Sequence, residues 1–322
     1  MRITTEVQKH PVSQALTPKP GFLKANQLPL WLNPFLQHYG INMFAVTLVG
    51  FPHLKIIPAL QMMLEDYQNG LYDDTHTIVV PSSGNTAHAI ARFALAFGLK
   101  VKAVLATDVI SSKKLILEAL STVEVISVSR GDSVADRALE EAERPGHILL
   151  NQYGHEGNVR AHQLYTGPEI VRCLSNALSV IAISMGSGGT ITGVGKYLKE
   201  RSPGTLVLGV RTKLGEQVPG ARDKKKMAEV VTLDWQSATD AVAEVSRKDS
   251  FRSTRRLWSG VEPQPGPTSG MAYHGLVQHL SNRGKEWLEQ HRGTNVAFIC
   301  PDGCGPYLQL MLSELDPDEG LV

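Results

Sequence analysis

The sequence predicts an α/β protein with two lobes, each built on mainly parallel β-sheet flanked by helices. Short apolar runs rich in β-branched residues recur along the chain, and amphipathic segments of helical spacing lie between most of them. This alternation is typical of parallel sheets joined by crossover helices. The chain also has 322 residues, more than a single hydrophobic core usually serves. We therefore expect two lobes, interleaved by crossovers because no long flexible linker separates them.

The predicted elements are justified in chain order by composition and by periodicity. Strands are expected where four to seven apolar and β-branched residues follow one another, at 44–49, 77–80, 101–106, 123–128, 147–151, 180–184, 206–210 and 296–300. Helices are expected where apolar residues recur three and four positions apart, for example at 58–68, 86–97, 111–120, 133–142, 161–174, 192–200 and 270–280.

Charge and hydropathy exclude two classes of partner. The chain carries 32 Lys and Arg against 31 Asp and Glu, a formal net charge of +1, which gives no electrostatic footprint for nucleic acid or a membrane surface. The first twenty residues mix charged side chains with two prolines and lack the apolar core of a signal peptide, and no later run is long enough to span a bilayer. We therefore expect a cytoplasmic protein with small-molecule or protein partners.

The cysteines indicate neither a disulfide framework nor a metal centre. Cys173, Cys300 and Cys304 are odd in number and lack paired metal-ligand spacing, so a structural zinc is poorly supported. We expect three buried thiols and no bound metal.

A glycine-rich segment at 184–192 follows the apolar run 178–183 and leads into a helical pattern. Glycines let backbone N–H groups approach an anion, and a helix N-terminus adds a positive dipole, so a strand, a glycine turn and a helix start favour a phosphate site. Ile191 stands where a dinucleotide fingerprint needs its third glycine, and no Gly-Lys-Ser/Thr of a nucleotide P-loop occurs. A tight strand-to-helix turn without a ligand stays open as the alternative.

A second glycine turn, Pro81-Ser82-Ser83-Gly84-Asn85-Thr86, also lies where a predicted strand leads into a helix. Hydroxyls and N–H groups converge in such a turn, which suits a carboxylate. Helix N-capping by Ser83 or Asn85 explains the same residues equally well.

Three stretches in a specific order carry a family resemblance. They are Pro81-Ser82-Ser83-Gly84-Asn85-Thr86; Asn151-Gln152-Tyr153 with Asn158, Ala161, His162 and Thr166-Gly167-Pro168-Glu169-Ile170; and Gly186-Ser187-Gly188-Gly189-Thr190. In this order the chain, from about 44 to 307, resembles the fold-type II pyridoxal-phosphate enzymes, and within them the cysteine synthase and cystathionine β-synthase group. Similarity extends to Pro267-Thr268-Ser269-Gly270 and to Pro301-Asp302-Gly303 with Tyr307.

The resemblance implies the tryptophan synthase β-like fold and a division into lobes. The smaller α/β lobe is expected at 44–152, carrying Lys55 and the asparagine loop 81–86. The larger is expected to comprise 1–43 and 153–322 and to carry the phosphate loop. The cofactor of these enzymes is pyridoxal 5′-phosphate, and it is expected between the lobes.

Lys55 occupies the position of the family's cofactor-binding and catalytic lysine. Such an amine must lose its proton to attack an aldehyde, and the apolar neighbours Leu54 and Ile56 favour a lowered pKa. The surroundings differ from the family pattern, which usually has Ser-x-Lys-Asp-Arg where this chain has His53-Leu54-Lys55-Ile56-Ile57. This difference puts ordinary active-site closure and substrate choice in question.

The remaining site residues are implied by the resemblance. Cofactor binding falls to Asn85 at the phenolic oxygen, Thr268 at the pyridine nitrogen, and Gly186, Ser187, Gly188, Gly189 and Thr190 at the phosphate. The substrate carboxylate falls to Ser82, Ser83, Gly84, Thr86 and Gln152. Arg222 lies in a region where phosphoserine-using members carry an arginine, and its guanidinium suits a phosphate leaving group.

The implied activity is β-replacement on an activated L-serine, O-acetylserine or O-phosphoserine, through an α-aminoacrylate. Sulfide or another small nucleophile would be added, as in cysteine biosynthesis; a specialised amino acid formed with a nitrogen nucleophile also stays open. Thr190 after Gly188-Gly189 is typical of replacing enzymes.

Two other activities remain open, and so do the partners. Ala87 after Thr86 is typical of dehydratases, which leaves β-elimination or deamination as an alternative. A catalytically altered scaffold member is a third hypothesis, motivated by the surroundings of Lys55. Family members are commonly homodimers, and some bind the acyltransferase that supplies their substrate.

Overall fold

The computed structural model describes residues 17–82, 84–107, 109–129, 131–174 and 178–315. Its strands, in chain order, are β1 (Leu23–Gln27), β2 (Asn42–Leu48), β3 (Thr77–Pro81), β4 (Lys100–Ala106), β5 (Val123–Val128), β6 (His147–Leu149), β7 (Leu178–Ser184), β8 (Leu206–Thr212), β9 (Ala241–Val245) and β10 (Asn295–Ile299). Ser83, which was expected to bind the substrate carboxylate, lies outside the described residues.

The α-helices, in chain order, are α1 (Leu36–Tyr39), α2 (Ile56–Gln68), α3 (Asn85–Ala96), α4 (Ser111–Glu118), α5 (Val134–Ala142), α6 (Glu156–Ala161), α7 (Gly167–Leu174), α8 (Gly189–Arg201), α9 (Lys224–Val230), α10 (Arg247–Leu257), α11 (Pro267–Ser281), α12 (Lys285–Gln290) and α13 (Leu308–Glu314). A π-helical segment, His162–Thr166, joins α6 to α7. In the part of the chain that is described, no helix is long and apolar enough to cross a membrane.

The larger sheet has the strand order β1-β2-β10-β7-β8-β9. Only the β1–β2 pair is antiparallel, and β2, β10, β7, β8 and β9 pair in parallel. Its central strands read as continuous apolar runs because both faces are covered, and Ile181, Ala182 and Phe298 are completely buried. Helix α11 packs against β7, β8, β9 and β10, which places the N-terminus of α11 beside the larger sheet.

The smaller sheet is entirely parallel, with the order β5-β4-β3-β6. Helix α5 packs against β3, β4 and β6. Ala138 of this helix forms a buried cluster with Val79, Val104 and Val128 of the sheet. The parallel α/β prediction is confirmed by both sheets.

The chain forms two compact units, one built on Lys55–Ala161 and the other on Pro20–Leu54 with the chain from His162 onward. These bounds differ from the expected lobes at 44–152 and at 1–43 plus 153–322. The strand expected at 44–49 is β2, and its backbone hydrogen bonds run to β1 and β10 of the larger sheet. The main segment of the first unit therefore starts at Lys55, after the strand that belongs to the larger sheet.

The cysteines differ from one another in burial. Cys300 is buried, whereas Cys173 and Cys304 are half-buried, so the expectation of three buried thiols was wrong for two of them. Both half-buried thiols lie outside the strands, Cys173 in the last turn of α7 and Cys304 in the loop after β10.

Candidate active site

Lys55 immediately precedes helix α2 and is half-buried. Its carbonyl accepts a hydrogen bond from the N–H of Ala59 at 3.1 Å. Pro58 lies in the first turn of α2, where its missing N–H costs no helical hydrogen bond. Ile56 and Ile57 are buried, so the backbone of Lys55 is anchored at the beginning of a helix whose first residues lie in the core.

The asparagine loop begins where β3 ends and continues into α3, whose first residue is Asn85. Ser82 Oγ accepts hydrogen bonds from the N–H groups of Gly84 at 3.0 Å and Ala87 at 3.1 Å. The Ser82 oxygen therefore caps the first turn of α3, a role that the sequence left open for Ser83 or Asn85. With its lone pairs occupied, the Ser82 hydroxyl is left as a donor, which suits a carboxylate.

Gly84 has a φ of 119°, a region that side chains rarely adopt. A Cβ at this position would lie 2.7 Å from Cδ of the buried Lys113. Glycine is therefore required for the loop to turn under this lysine.

Thr86 and Gln152 meet in the same compact unit. Thr86 Oγ1 donates to Gln152 Oε1 at 2.7 Å, and both side chains are buried. Asn158 Nδ2 donates to the Gln152 carbonyl at 2.7 Å and holds the backbone there. Because Oε1 is used as an acceptor, the donor end of the Gln152 amide is oriented for an acceptor such as a carboxylate.

The phosphate loop lies between β7 and α8. Gly188, at the N-cap of α8, has a φ of 83° and carries no side chain that could cap the helix. The first N–H groups of this 13-residue helix are consequently available to an anion, with the helix dipole in support. Ser187 is buried and Thr190 is half-buried beside them. These features fit a phosphate ester.

The segment that contains Arg222 covers this loop. The Arg222 N–H donates to the Met185 carbonyl at 3.0 Å, and the Arg222 carbonyl accepts from Thr212 N–H at 3.3 Å. A Cβ at Gly186 would collide with the Gly220 carbonyl oxygen. The two loops therefore lie in direct contact, and Arg222 is positioned next to the start of the phosphate loop.

Thr268 lies in the first turn of α11 and is buried. A Cβ at Gly220 would be 3.6 Å from Thr268 Cγ2, so Thr268 borders the same segment. Within this unit the structure therefore brings together the phosphate loop, the Arg222 segment and Thr268. In the other unit it brings together Ser82, Thr86 and Gln152, with Asn85 at the beginning of α3.

His162 is one of the residues of the matching stretches that received no role from the sequence. His162 is buried and lies within hydrogen-bonding distance of Thr190, at 3.1 Å between Nε2 and Oγ1. His162 lies four residues before Thr166, a spacing that could have suggested a contact within a helix. The sequence contains no signal that these two residues are the ends of a π-helical segment.

Comparisons with known proteins identify the family. Residues 54–302 match the pyridoxal-phosphate dependent enzyme family. Cysteine synthase B of Salmonella typhimurium is 30% identical over 224 residues, covering 68% of this chain and 73% of the relative. The probable cysteine synthase of Bacillus subtilis is 30% identical over 233 residues, covering 68% and 75%. The cysteine synthase of Aquifex aeolicus is 26% identical over 279 residues, covering 80% and 79%.

Solved structures agree in fold. O-ureido-L-serine synthase superposes with a TM-score of 0.79 at 20% identity, covering 92% of this chain and 94% of that one. A hydrogen sulfide-producing enzyme from Fusobacterium nucleatum superposes with a TM-score of 0.76 at 19% identity, covering 92% and 98%. With the family match over most of the chain, the conclusion is that this protein belongs to the pyridoxal-phosphate-dependent enzymes of fold type II, in the cysteine synthase family, and that its cofactor is pyridoxal 5′-phosphate.

Proposed function

We propose that this protein catalyses β-replacement on an activated L-serine, O-acetylserine or O-phosphoserine, with sulfide or another small nucleophile as the second substrate. The observation that carries the proposal is the pair of donors that the local hydrogen bonds leave for an amino-acid carboxylate, the Ser82 hydroxyl and the Gln152 amide, with Thr86 orienting that amide instead of donating to the substrate as expected. Cysteine synthase relatives at 30% identity support the same reaction type.

Each residue has a role that follows from its chemistry. Lys55 Nζ would hold the aldehyde of the cofactor and, as a free amine, would accept the proton from the substrate Cα. The N–H groups at Gly186–Thr190 bind the phosphate, Asn85 the phenolic oxygen and Thr268 the pyridine nitrogen. Bound pyridoxal phosphate supplies an electron-withdrawing ring that stabilises negative charge at Cα. The Ser82 hydroxyl and the Gln152 amide orient the substrate carboxylate so that its Cα–H faces the lysine.

Arg222 is proposed to select the leaving group. Its backbone is fixed at both the N–H and the carbonyl, so its side chain starts from a defined point next to the phosphate loop. A guanidinium there can hold the phosphate of O-phosphoserine through two parallel hydrogen bonds, which a lysine cannot reproduce.

β-Elimination is the second candidate, and Ala87 favours it. Ala87 is completely buried behind Thr86, at the position where dehydratases of the fold tend to carry alanine. Water would then take the place of sulfide, and the products would be pyruvate and ammonia.

The experiment uses purified protein loaded with pyridoxal phosphate, with visible absorbance to detect lysine-bound cofactor. O-acetylserine and O-phosphoserine are added separately, with and without sulfide, and cysteine and pyruvate are quantified. Cysteine formed only with sulfide supports replacement, and pyruvate in both cases would assign elimination. A protein that binds no cofactor, or whose Lys55→Ala variant has the same spectrum, would contradict the proposal and favour a scaffold.

The same assay tests the donor. We expect Arg222→Ala to raise the KM for O-phosphoserine at least tenfold, since a charge-assisted pair is lost, and to leave that for O-acetylserine unchanged. Lys224→Ala, which removes an exposed positive charge two residues away, is the matched control. An unchanged KM for O-phosphoserine in Arg222→Ala would remove Arg222 from the site.

Quaternary structure and location are proposed on the same family basis. We expect a cytoplasmic homodimer that associates with the acyltransferase supplying its substrate. Sedimentation equilibrium would check the dimer, and a monomer at micromolar concentration would contradict it.

A further inference from the structure

A buried histidine lies directly behind the phosphate loop and has no role in the chemistry described above. His162 is 1% exposed and opens the π-helical segment His162–Thr166. Its Nε2 lies 3.1 Å from Thr190 Oγ1, and its Nδ1 lies 2.8 Å from Thr166 Oγ1. The imidazole therefore joins the first turn of α8 to the last residue of the π-helix.

Packing of neighbouring helices explains this placement. The π-helical segment and α7 both pack against α8. The approach is close because Gly167 faces the Tyr197 ring on α8, where a Cβ would lie 2.7 Å from the ring carbons. π-Helical turns are rare and occur frequently at functional sites.

In a neutral imidazole, the ring nitrogen that carries the proton decides whether His162 or Thr190 is the donor in the contact between them. One ring nitrogen donates and the other accepts. If Nε2 accepted from the Thr190 hydroxyl, Thr190 would present only lone pairs to a phosphate, whose oxygens are themselves acceptors. If Nε2–H donates to Thr190 Oγ1, the threonine keeps its O–H for the phosphate.

Thr166 is a suitable partner for the second of these states. When Nε2 carries the proton, Nδ1 is an acceptor, and the Thr166 hydroxyl at 2.8 Å is a suitable donor. Thr166 is completely buried, so water does not compete for that hydrogen bond. A hydroxyl can serve either tautomer, so the selection falls to the phosphate, which only accepts hydrogen bonds and therefore favours the state in which Thr190 donates to it.

We propose that His162 is a positioning residue of the phosphate site: with Thr166 donating to its Nδ1, its Nε2–H donates to Thr190, so that the Thr190 hydroxyl donates to the phosphate ester of the cofactor. The inference rests on the proposed assignment of Gly186–Thr190 to that phosphate. It adds a chain of three hydrogen-bonded side chains, Thr166, His162 and Thr190. In this chain the Thr190 hydroxyl, which could donate or accept, acts as a donor to the phosphate.

The test compares two amides in place of the imidazole. Gln at position 162 extends its amide toward the position of Nε2, whereas Asn reaches only the position of Nδ1. Apo protein is titrated with pyridoxal 5′-phosphate and with pyridoxal, which lacks the phosphate, and the ratio of the two affinities is measured. The lysine bond is common to both ligands, so the ratio isolates the phosphate contacts.

We expect His162→Asn to lower the affinity ratio by about tenfold, the effect of losing a hydrogen bond to a charged group. His162→Gln should retain most of the ratio, and Thr166→Val should change it in the same direction as Asn. His279→Gln, a half-buried histidine of α11 that contacts Arg283, is the matched control and should have no effect. Equal ratios in all variants, or an equal loss of both affinities, would overturn the inference.

The tautomer gives a readout independent of the variants and of folding defects in them. In wild-type protein saturated with pyridoxal 5′-phosphate, ¹⁵N NMR should assign the proton of His162 to Nε2, with Nδ1 in the acceptor state. A proton on Nδ1 would refute this chain of hydrogen bonds. If wild-type protein binds pyridoxal as tightly as its phosphate ester, the phosphate assignment itself fails, a result distinct from failure of the hydrogen-bonded chain alone.

Discussion

At the scale of single residues, Ser82 serves both the fold and the candidate site. Its oxygen accepts two backbone N–H groups at the beginning of α3, and its proton remains for a carboxylate. The sequence identified the turn but not which side chain caps it, because Ser82, Ser83 and Asn85 are all strong capping residues within four positions. Only the three-dimensional path of the turn selects one of them.

Gly186→Ala tests the contact between the phosphate loop and the Arg222 segment. The added Cβ would collide with the Gly220 carbonyl, and backbone cannot move as a flexible side chain does. We expect a loss of about 1–3 kcal/mol in the free energy of unfolding, typical of overpacking, together with weaker binding of pyridoxal phosphate. Urea denaturation measures the first effect and cofactor titration the second.

Gly204→Ala is the control for that substitution. Nothing lies within 4 Å of its Cβ position, and its φ is not in the left-handed region. The free energy of unfolding of the Gly204→Ala variant should therefore be unchanged or slightly raised. A wild-type-like Gly186→Ala variant would show that the two loops separate readily.

At the scale of secondary structure, the central strands and the main helices were predictable, and edges and irregularities were not. The strand at 123–128 is predicted and found with the same bounds. Strands β1 and β9 were missed because they are short edge strands, and β1 carries Lys24, Asn26 and Gln27, so its pairing with β2 decides its conformation. The π-helical turn is likewise set by tertiary contacts.

Helix α5 is tied to strand β4 by a buried ion pair. Glu141 accepts from Lys102 at 2.8 Å, and Arg137 and Arg144 lie at 2.5 and 3.0 Å. The hydrogen bond from Lys102 is the main reason that the pKa of Glu141 is lowered, although burial opposes it. A carboxyl with a lowered pKa in the folded state stabilises the fold above its unfolded pKa, and this stabilisation is lost as pH falls through the folded value.

We predict that Glu141→Gln lowers the free energy of unfolding at pH 7 by about 2–3 kcal/mol, since it leaves the buried Lys102 poorly compensated. The gap between wild type and variant should shrink as pH falls below about 4.3, the ordinary pKa of a glutamate. Chemical denaturation at a series of pH values measures this gap.

Glu140→Gln is the matched control on the same helix. Glu140 is exposed and pairs with Arg137 at 3.2 Å on the surface of the helix, so its effect should stay within about 0.5 kcal/mol. A gap for Glu141→Gln that does not vary between pH 7 and pH 3 would contradict the ion-pair argument.

At the scale of the whole molecule, the sequence predicted a parallel α/β architecture and the order of the site segments. It placed the division near 44 instead of Lys55, because an apolar run does not indicate which sheet it joins. Helix positions relative to the glycine loops followed from the motifs, whereas the contact of the Arg222 segment with the phosphate loop depends on tertiary folding.

The reactivity of the three thiols depends on their burial in the folded protein. Burial raises the pKa of Cys300 to about 12 and that of Cys173 to about 11, and it also raises the pKa of Cys304. The reactive species is the thiolate, so all three should be alkylated by iodoacetamide far more slowly at neutral pH than an ordinary thiol of pKa about 8.5.

We predict that mass spectrometry detects slow labelling of native protein at Cys173 and Cys304 and none at Cys300, with all three labelled in denaturant. For Cys173, labelling should accelerate as pH rises toward 11. Rapid labelling of Cys300 at neutral pH would contradict the burial of this residue directly after strand β10.

The division into two compact units has a spectroscopic consequence. The four tryptophans are Trp31, Trp235, Trp258 and Trp287, and all of them belong to the unit built on Pro20–Leu54 and the chain from His162 onward. Intrinsic tryptophan emission therefore reports on that unit, and an unfolding event confined to Lys55–Ala161 would leave its signal largely unchanged. Because Tyr67 is 54% exposed, Tyr67→Trp would give the unit that carries Lys55 a fluorophore of its own.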